Sequence, residues 1–330
     1  MKFRLSRQNV PFYATVGVCV LLFAAGCVLY ENFATARNVL SFFVGKPFLG
    51  ILAIGMTFVI ISGGIDLSVG AMIGCTSVLL AVLMRDAGLD PYVAMGCTLV
   101  FGVLLGGAMG ALIGLYDLPP FLVTLGGMFF CRGLGLLISG EMTVGVAHPA
   151  FLRLSEWAIP LSSRLGVPLP VCVFGAMFLA GLYVSRYTRF GRAVYAVGGS
   201  EPSALLMGLP VTGTKIGVYA LSGFCSAMGG IMYTIGNPAG DPQAGKAMEL
   251  DAIAAVVVGG TLLSGGVGFV TGTLFGYVIF QVIQTALVFQ SAEDGFGWLG
   301  KAGWPQVAVG ALLFVFIVLQ RLIQRKGLQA

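Results

Sequence analysis

The side chains able to do chemistry are few, and Asp66 stands out among them. It sits in Gly63-Gly64-Ile65-Asp66-Leu67-Ser68-Val69-Gly70, between two apolar segments. A carboxylate left unpaired in hydrocarbon costs roughly 2.5–3.5 kcal/mol on insertion scales, so a partner is required. Two roles are open. Asp66, helped by Ser68, caps a helix that begins near Val69, or it lines a route across the membrane. Arg132 is the other deep charge, and it either pairs with Asp66 or binds backbone carbonyls.

Other chemistries find little support. The segment 295–302 nearly spells the phosphate-binding GxxxxGK motif followed by Ser or Thr, but Ala302 stands where the Mg²⁺-binding hydroxyl belongs. No strand–loop–helix pattern surrounds it. His148 is the one histidine and lies beside Pro149 in a polar loop, where a solvated role is expected. No catalytic Ser/His/Asp set is seen, so an enzyme is not expected. The seven cysteines all fall in apolar windows without a CxxC pair, as buried small hydrophobes do. With a single histidine, neither a metal site nor a bound cofactor is expected. Buried titratable groups are also too scarce for an ion-coupled carrier, so the driving energy comes from elsewhere.

The elements that hold these residues must be membrane helices. Apolar residues make up 58% of the 330 positions and charged ones 9%, and the mean hydropathy is +0.97. A soluble domain carries about 25% charged residues. The apolar runs lack the alternation of outer-membrane strands. The expected fold is therefore all-α: one polytopic helix bundle over 1–330, with about ten transmembrane helices. They are expected near 12–30, 48–61, 69–84, 91–116, 121–138, 168–184, 216–236, 250–263, 267–290 and 304–320. Those at 48–61, 69–84 and 250–263 are too short to cross straight and are expected to be broken or partly re-entrant.

Glycine supplies the packing signals. Gly102, Gly106, Gly110 and Gly114 share one helix face, as do Gly268, Gly272 and Gly276. Such faces bring backbones close and act as general membrane glue; a sliding face is the sharper alternative. The pattern GGxxLSxG occurs twice, at 63–70 and at 259–266. Paired glycine interruptions point to a transport pathway, which makes Asp66, Ser68, Thr124, Arg132, Gly259 and Gly260 the candidate pathway residues.

Basic residues set the orientation. Lys2, Arg4 and Arg7, then Arg186, Arg189 and Arg192, then Arg321, Arg325 and Lys326 mark cytoplasmic sites separated by even numbers of spans. Both termini are thus expected inside. Trp157, Trp298 and Trp304 fall at outer edges, as aromatic belts do. The scattered positive charge reads as topology signals, so a nucleic-acid partner is not expected. The loop 185–215 is the longest cytoplasmic one. Within it Ser200 reads as an N-cap, with Glu201 and Pro202 in the first turn and Gly208 then Pro210 as the stop. A short helix on a basic platform suits insertion into a partner, although the arginines also fix topology.

Four stretches together resemble the ribose/xylose/galactoside group of ABC importer permeases. They are Gly55-Met56-Thr57 with 63–70; 119–126 followed by Arg132-Gly133; Thr188-Arg189-Phe190-Gly191-Arg192 with 195–199; and 249–256 with Gly259-Gly260 and Gly265-Gly266. The likeness spans nearly the whole chain and extends to permeases of galactofuranose importers. It implies a bacterial inner-membrane subunit and a second permease, identical or related. It also implies a periplasmic sugar-binding protein and a cytoplasmic ATPase docked near Arg189–Gly208, through Thr188, Arg189, Phe190, Gly191, Arg192, Glu201, Ser203, Ala204 and Gly208. The family's docking helix usually starts Glu-Ala-Ala, where this chain reads Pro202-Ser203-Ala204. That departure suits a heteromeric pair. The rival readings are a carrier or channel acting alone, and a related importer of branched-chain amino acids or nucleosides.

Overall fold

The structure, a computed structural model, describes residues 10–162 and 165–293, with Trp304, Val307, Gly310, Ala311, 313–315 and Val318 beyond them. The terminal basic clusters, the 295–302 segment and Trp298 lie outside the described residues, as does most of the expected span 304–320.

Among the described residues helix dominates. In chain order the helices are α1 (Val10–Leu29), α2 (Ala36–Val44), α3 (Pro47–Ile61), α4 (Val69–Arg85), α5 (Pro91–Leu115), α6 (Pro120–Ser139), α7 (Pro149–Glu156), α8 (Leu169–Tyr187), α9 (Arg189–Gly199), α10 (Glu201–Leu206), α11 (Val211–Gly236), α12 (Met248–Val258) and α13 (Val270–Glu293). Two small antiparallel ribbons accompany them. β1 (Val144–Gly145) pairs with β4 (Ala239–Gly240), and β2 (Ala158–Ser162) pairs with β3 (Leu165–Pro168).

The expected ten spans need correction. Among the described residues six helices are long and apolar enough to cross a membrane: those containing 12–29 and 270–289, and α5, α6, α8 and α11. The bent pair α2–α3 makes up to seven. The segment expected at 48–61 does not stand alone, because α2 continues it across a 58° bend. The 250–263 segment shortens to the 11 residues of α12, and α4 stays short at 17. Glycine and proline breaks explain the difference. They divide apolar runs into pieces that other helices shield, which is where irregular backbone is tolerated at membrane depth.

The α2–α3 bend has an identifiable cause. Pro47 occupies the first turn of α3 and cannot donate a hydrogen bond to continue α2. The Phe42 carbonyl, in the last turn of α2, accepts instead from Tyr277 Oη at 3.0 Å and from Gln281 Nε2 at 2.9 Å, both on α13. Every residue of α3 is buried, so this helix is the centre of the core. Helix α11 packs on α3, α4 and most extensively α5. The α5 glycine face provides that last contact. A Cβ at Gly110 would lie 2.8 Å from Ile216 Cα, and one at Gly114 3.2 Å from Thr212. Of the second glycine set, Gly272 and Gly276 lie on α13 and meet α12, with a Cβ at Gly276 2.8 Å from Gly259 N, whereas Gly268 precedes the helix and lies against Thr261. Both faces therefore pack helices within the chain, as membrane glue does.

Candidate functional site

The first helix break follows from glycine. At the end of α3, Gly63 N donates to Ile60 O and Gly64 N to Val59 O, both at 3.0 Å. Gly63 has φ +85°, a left-handed conformation that a Cβ would penalise. The chain then turns inward and buries Asp66 completely. Asp66 Oδ1 accepts from Ser68 N at 2.9 Å and Ser68 Oγ at 2.6 Å, while Oδ2 accepts from Ser222 Oγ at 2.7 Å. The bond to Ser68 N forms an Asx-turn just ahead of α4. Ser68 is the N-cap by position but makes no side-chain cap bond. Asp66 thus ties its own turn to α11 instead of capping α4 in the ordinary way. The neighbouring Ile65 carbonyl accepts from Thr124 Oγ1 at 3.3 Å and Tyr219 Oη at 3.4 Å. Asp66, Ser68 and Thr124 consequently share one site.

Arg132 is elsewhere. Its Nη1 donates to Pro242 O at 2.8 Å and Ala244 O at 3.0 Å. Of the two alternatives for this charge, the structure adopts the backbone carbonyls. Hydroxyls and a backbone N–H are what hydrogen-bond the buried Asp66 carboxylate among the described residues.

The second break uses the same ending. Gly260 N donates to Val257 O at 2.9 Å and Thr261 N to Val256 O at 3.2 Å. Gly260 has φ +90°. The structural counterpart of Gly63 is therefore Gly260, one place later than the repeat aligned by sequence. Gly259 caps α12 and lies against Gly272 of α13. Gly259 and Gly260 do not reach Asp66. The two breaks touch through other glycines: Gly266 N donates to Ile61 O at 2.8 Å, and a Cβ at Gly265 would sit 2.9 Å from Gly63 Cα.

The candidates of the 185–215 loop end at this same junction. Thr188 starts α9 by accepting from Gly191 N at 3.0 Å, and Gly191 is buried against the carbonyl of Ser185. Phe190 stacks on Phe58 of α3 with ring centroids 6.5 Å apart. Arg189 and Arg192 point to solvent. At the far end of α9, Gly198 and Gly199 fit between the two breaks. A Cβ at Gly198 would lie 2.8 Å from Gly266 N and would overlap the Ile61 carbonyl; one at Gly266 would lie 2.7 Å from Gly199 Cα. Tyr195 Oη donates to Gly268 O at 2.8 Å. Burial pushes the Tyr195 hydroxyl up from its ordinary pKa, which keeps it a donor.

Helix α10 rides on this platform. Ser200 caps it as expected, accepting from Ser203 N at 3.4 Å, and the two hydroxyls bond at 2.8 Å. Ala204 is buried beside Val197 and Val211, and Gly208 ends the turn at φ +73°. Glu201 Oε1 meets Lys215 Nζ at 2.6 Å. Sequence reasoning missed the tip: Leu205, Leu206 and Met207 are 65%, 89% and 67% exposed. Three adjacent exposed apolar residues after a cap are a legible signal for a contact surface. It also missed Ser222, Tyr219 and Gly198-Gly199 as partners, because no local pattern announces a contact between distant helices. Among the described residues no three metal-binding side chains gather.

Comparison with known proteins gives a consistent picture. A family model described as branched-chain amino acid transport system / permease component matches residues 38–319. The inner membrane ABC transporter permease protein YjfF of Escherichia coli K12 is 44% identical over 321 residues, 96% of this chain and 93% of that protein. The fructose import permease protein FruG of Bifidobacterium longum is 34% identical, covering 98% and 94% of the two chains. The ribose import permease protein RbsC of Escherichia coli K12 is 34% identical, covering 91% and 90%. No solved structure matches. With its helices built for a bilayer and relatives matched almost end to end, the chain belongs to the sugar ABC importer permease family.

Proposed function

We propose that this chain is the permease subunit of an ATP-driven monosaccharide importer in the bacterial inner membrane, with both termini cytoplasmic. A periplasmic binding protein delivers the sugar, galactofuranose or a related pentose or hexose. A second permease completes the pathway, and a separate ABC ATPase hydrolyses ATP. One observation carries the coupling mechanism: the basic 185–215 loop ends α9 in Gly198-Gly199, wedged between the two helix breaks. Force applied to α10 reaches both breaks through backbone contact. Close-packed junctions of this kind switch between discrete arrangements instead of yielding gradually. Closure of the ATPase pulls the loop, and the helices flanking the Asp66 turn and the Gly259-Gly260 break rock. The outward cavity then takes the sugar, and hydrolysis resets the assembly. Leu205, Leu206 and Met207 supply the apolar knob for the ATPase cleft, and the exposed Arg189 and Arg192 of the preceding α9 add positive charge to the same loop.

Sugar is favoured over branched-chain amino acids because relatives named for fructose and ribose import match 98% and 91% of this chain. The test is affinity purification of the chain in mild detergent, with mass spectrometry of what accompanies it. An ATPase and a second permease are expected, and Arg192→Glu should release the ATPase without affecting membrane insertion. Recovery of this chain alone, with ATP-independent sugar movement in vesicles, would establish a solitary carrier instead.

A further inference from the structure

The α5–α6 hairpin borders two cavities that share a lip. One is a groove of about 560 Å³ between α5 and α6, walled by Leu105, Met109, Leu112, Leu122, Gly126 and Phe130 among others. No charged or hydrogen-bonding side chain lines it. The other is a recess of about 220 Å³, with Asp117, Glu201, Lys215, Ser62 and Tyr219 in its wall. Leu118 and Pro119 line both. A single molecule that fills the two must be apolar along its length and charged at one end. Helices α5 and α6 are both long and apolar enough to span. Leu112, Leu122 and Phe130 in the groove wall are 43%, 60% and 52% exposed, so the groove opens on the outer, apolar surface of these two spans.

The charges at the recess narrow the head group. Lys215 Nζ lies 2.6 Å from Glu201 Oε1 and 3.7 Å from Asp117 Oδ1. The second distance is too long for a hydrogen bond, which leaves ammonium protons of Lys215 available to a phosphate. The Asp117 side chain is 89% exposed and can accept from a cation. Two carboxylates against one lysine disfavour a head group of net negative charge. They suit one with a phosphate and an ammonium side by side. A quaternary ammonium has no N–H to give to Asp117, whereas a primary ammonium has three.

We propose that the groove and recess together bind one ethanolamine phospholipid. An acyl chain lies between α5 and α6, the glycerol crosses the lip at Leu118-Pro119, the phosphate meets Lys215 and the ammonium meets Asp117. Because Glu201 and Lys215 join α10 to α11, the bound head group braces the loop helix against the α5–α6 turn.

The experiment places the purified full-length chain in nanodiscs of equal parts phosphatidylethanolamine, phosphatidylcholine and phosphatidylglycerol. The lipids that remain bound after release are counted by native mass spectrometry. One ethanolamine lipid per chain is expected, enriched roughly fivefold or more over the other two, as one charge-assisted hydrogen bond allows. Gly126→Leu should abolish retention: a Cβ at Gly126 meets nothing within 4 Å, so the side chain enters the groove without strain. Asp117→Asn should keep a lipid but bring the three head groups to parity. Asp117 has φ +55°, a conformation asparagine tolerates, so this variant alters charge and not the turn. No retained lipid, equal retention of the three head groups by the wild type, or retention unchanged in both variants would overturn the proposal. So would an inter-chain cross-link through Gly126→Cys, which would place a second permease in the groove.

Discussion

The turns at 62–68 and 259–269 end their helices with the same pair of hydrogen bonds and a left-handed glycine, yet they hold on differently. The first is fastened by side chains: Asp66 to Ser68 and Ser222, and Thr124 and Tyr219 to Ile65 O. The second has Leu263 where the first has Asp66, and its Thr261 hydroxyl is buried without a partner. It is held mainly by backbone, through Gly265 and Gly266 against Gly63, Gly198 and Ile61, with one side-chain bond, from Tyr195 Oη to Gly268 O. Directional hydrogen bonds fix a turn in one place. Glycine contacts have no rotamers and let surfaces slip and reseat. On the proposed mechanism, the Asp66 turn is the anchor and the 265–266 turn the bearing on which α9 works.

The sharpest way to break this comparison is to fill the bearing. Gly198→Val puts atoms onto the Ile61 carbonyl, where no side chain can move aside. Overpacking typically costs about 1–3 kcal/mol and more where backbone blocks relief, so sugar uptake should vanish. The variant should also melt earlier in detergent. Asp66→Ala tests the anchor and ranks next. It strands three donors, each at ~1–3 kcal/mol if left unsatisfied, although the hydroxyls can turn to their own helix carbonyls. A total loss of about 2–4 kcal/mol in thermal stability is expected. Asp66→Asn keeps an acceptor for Ser68 and should cost under ~1 kcal/mol with uptake preserved. Loss of uptake in a stable Asn variant would give the carboxylate a role in the route itself.

The loop tip gives a smaller effect of another kind. Leu206→Asp should leave melting unchanged, because Leu206 is 89% exposed. It should lower permease-stimulated ATP hydrolysis roughly tenfold, about 1.4 kcal/mol of docking. Glu201→Gln should be the mildest. Its pairing with Lys215 is half exposed, and such pairs are worth ~0.2–1 kcal/mol and are screened by salt. A shift in melting of a degree or two that disappears at high salt would match.

Much of this arrangement was legible in the sequence. Composition gave the helical membrane class, the glycine faces gave two packing contacts, and Ser200 and Gly208 gave the limits of α10. The repeat pointed to both helix breaks, because turn chemistry is written in local residue types. Its register was misleading by one residue, since which of two adjacent glycines goes left-handed depends on what packs against it. Among the described residues the span count overshot, because apolar runs do not show where a helix bends. Pro47 was visible, but the Tyr277 and Gln281 bonds that stabilise the 58° bend come from more than 230 positions away. Gly198-Gly199 carried no sign of its role, because small size alone does not say what backbone will fill the space.

The most direct measurement is the number of sugar molecules moved per ATP hydrolysed, in vesicles holding the full transporter, for wild type and for Gly198→Ala. The account predicts that uptake needs both ATP and the separate ATPase chain. It also predicts that Gly198→Ala lowers the ratio severalfold while hydrolysis continues. Uptake without ATP, or an unchanged ratio in a correctly assembled Gly198→Ala transporter, would contradict it.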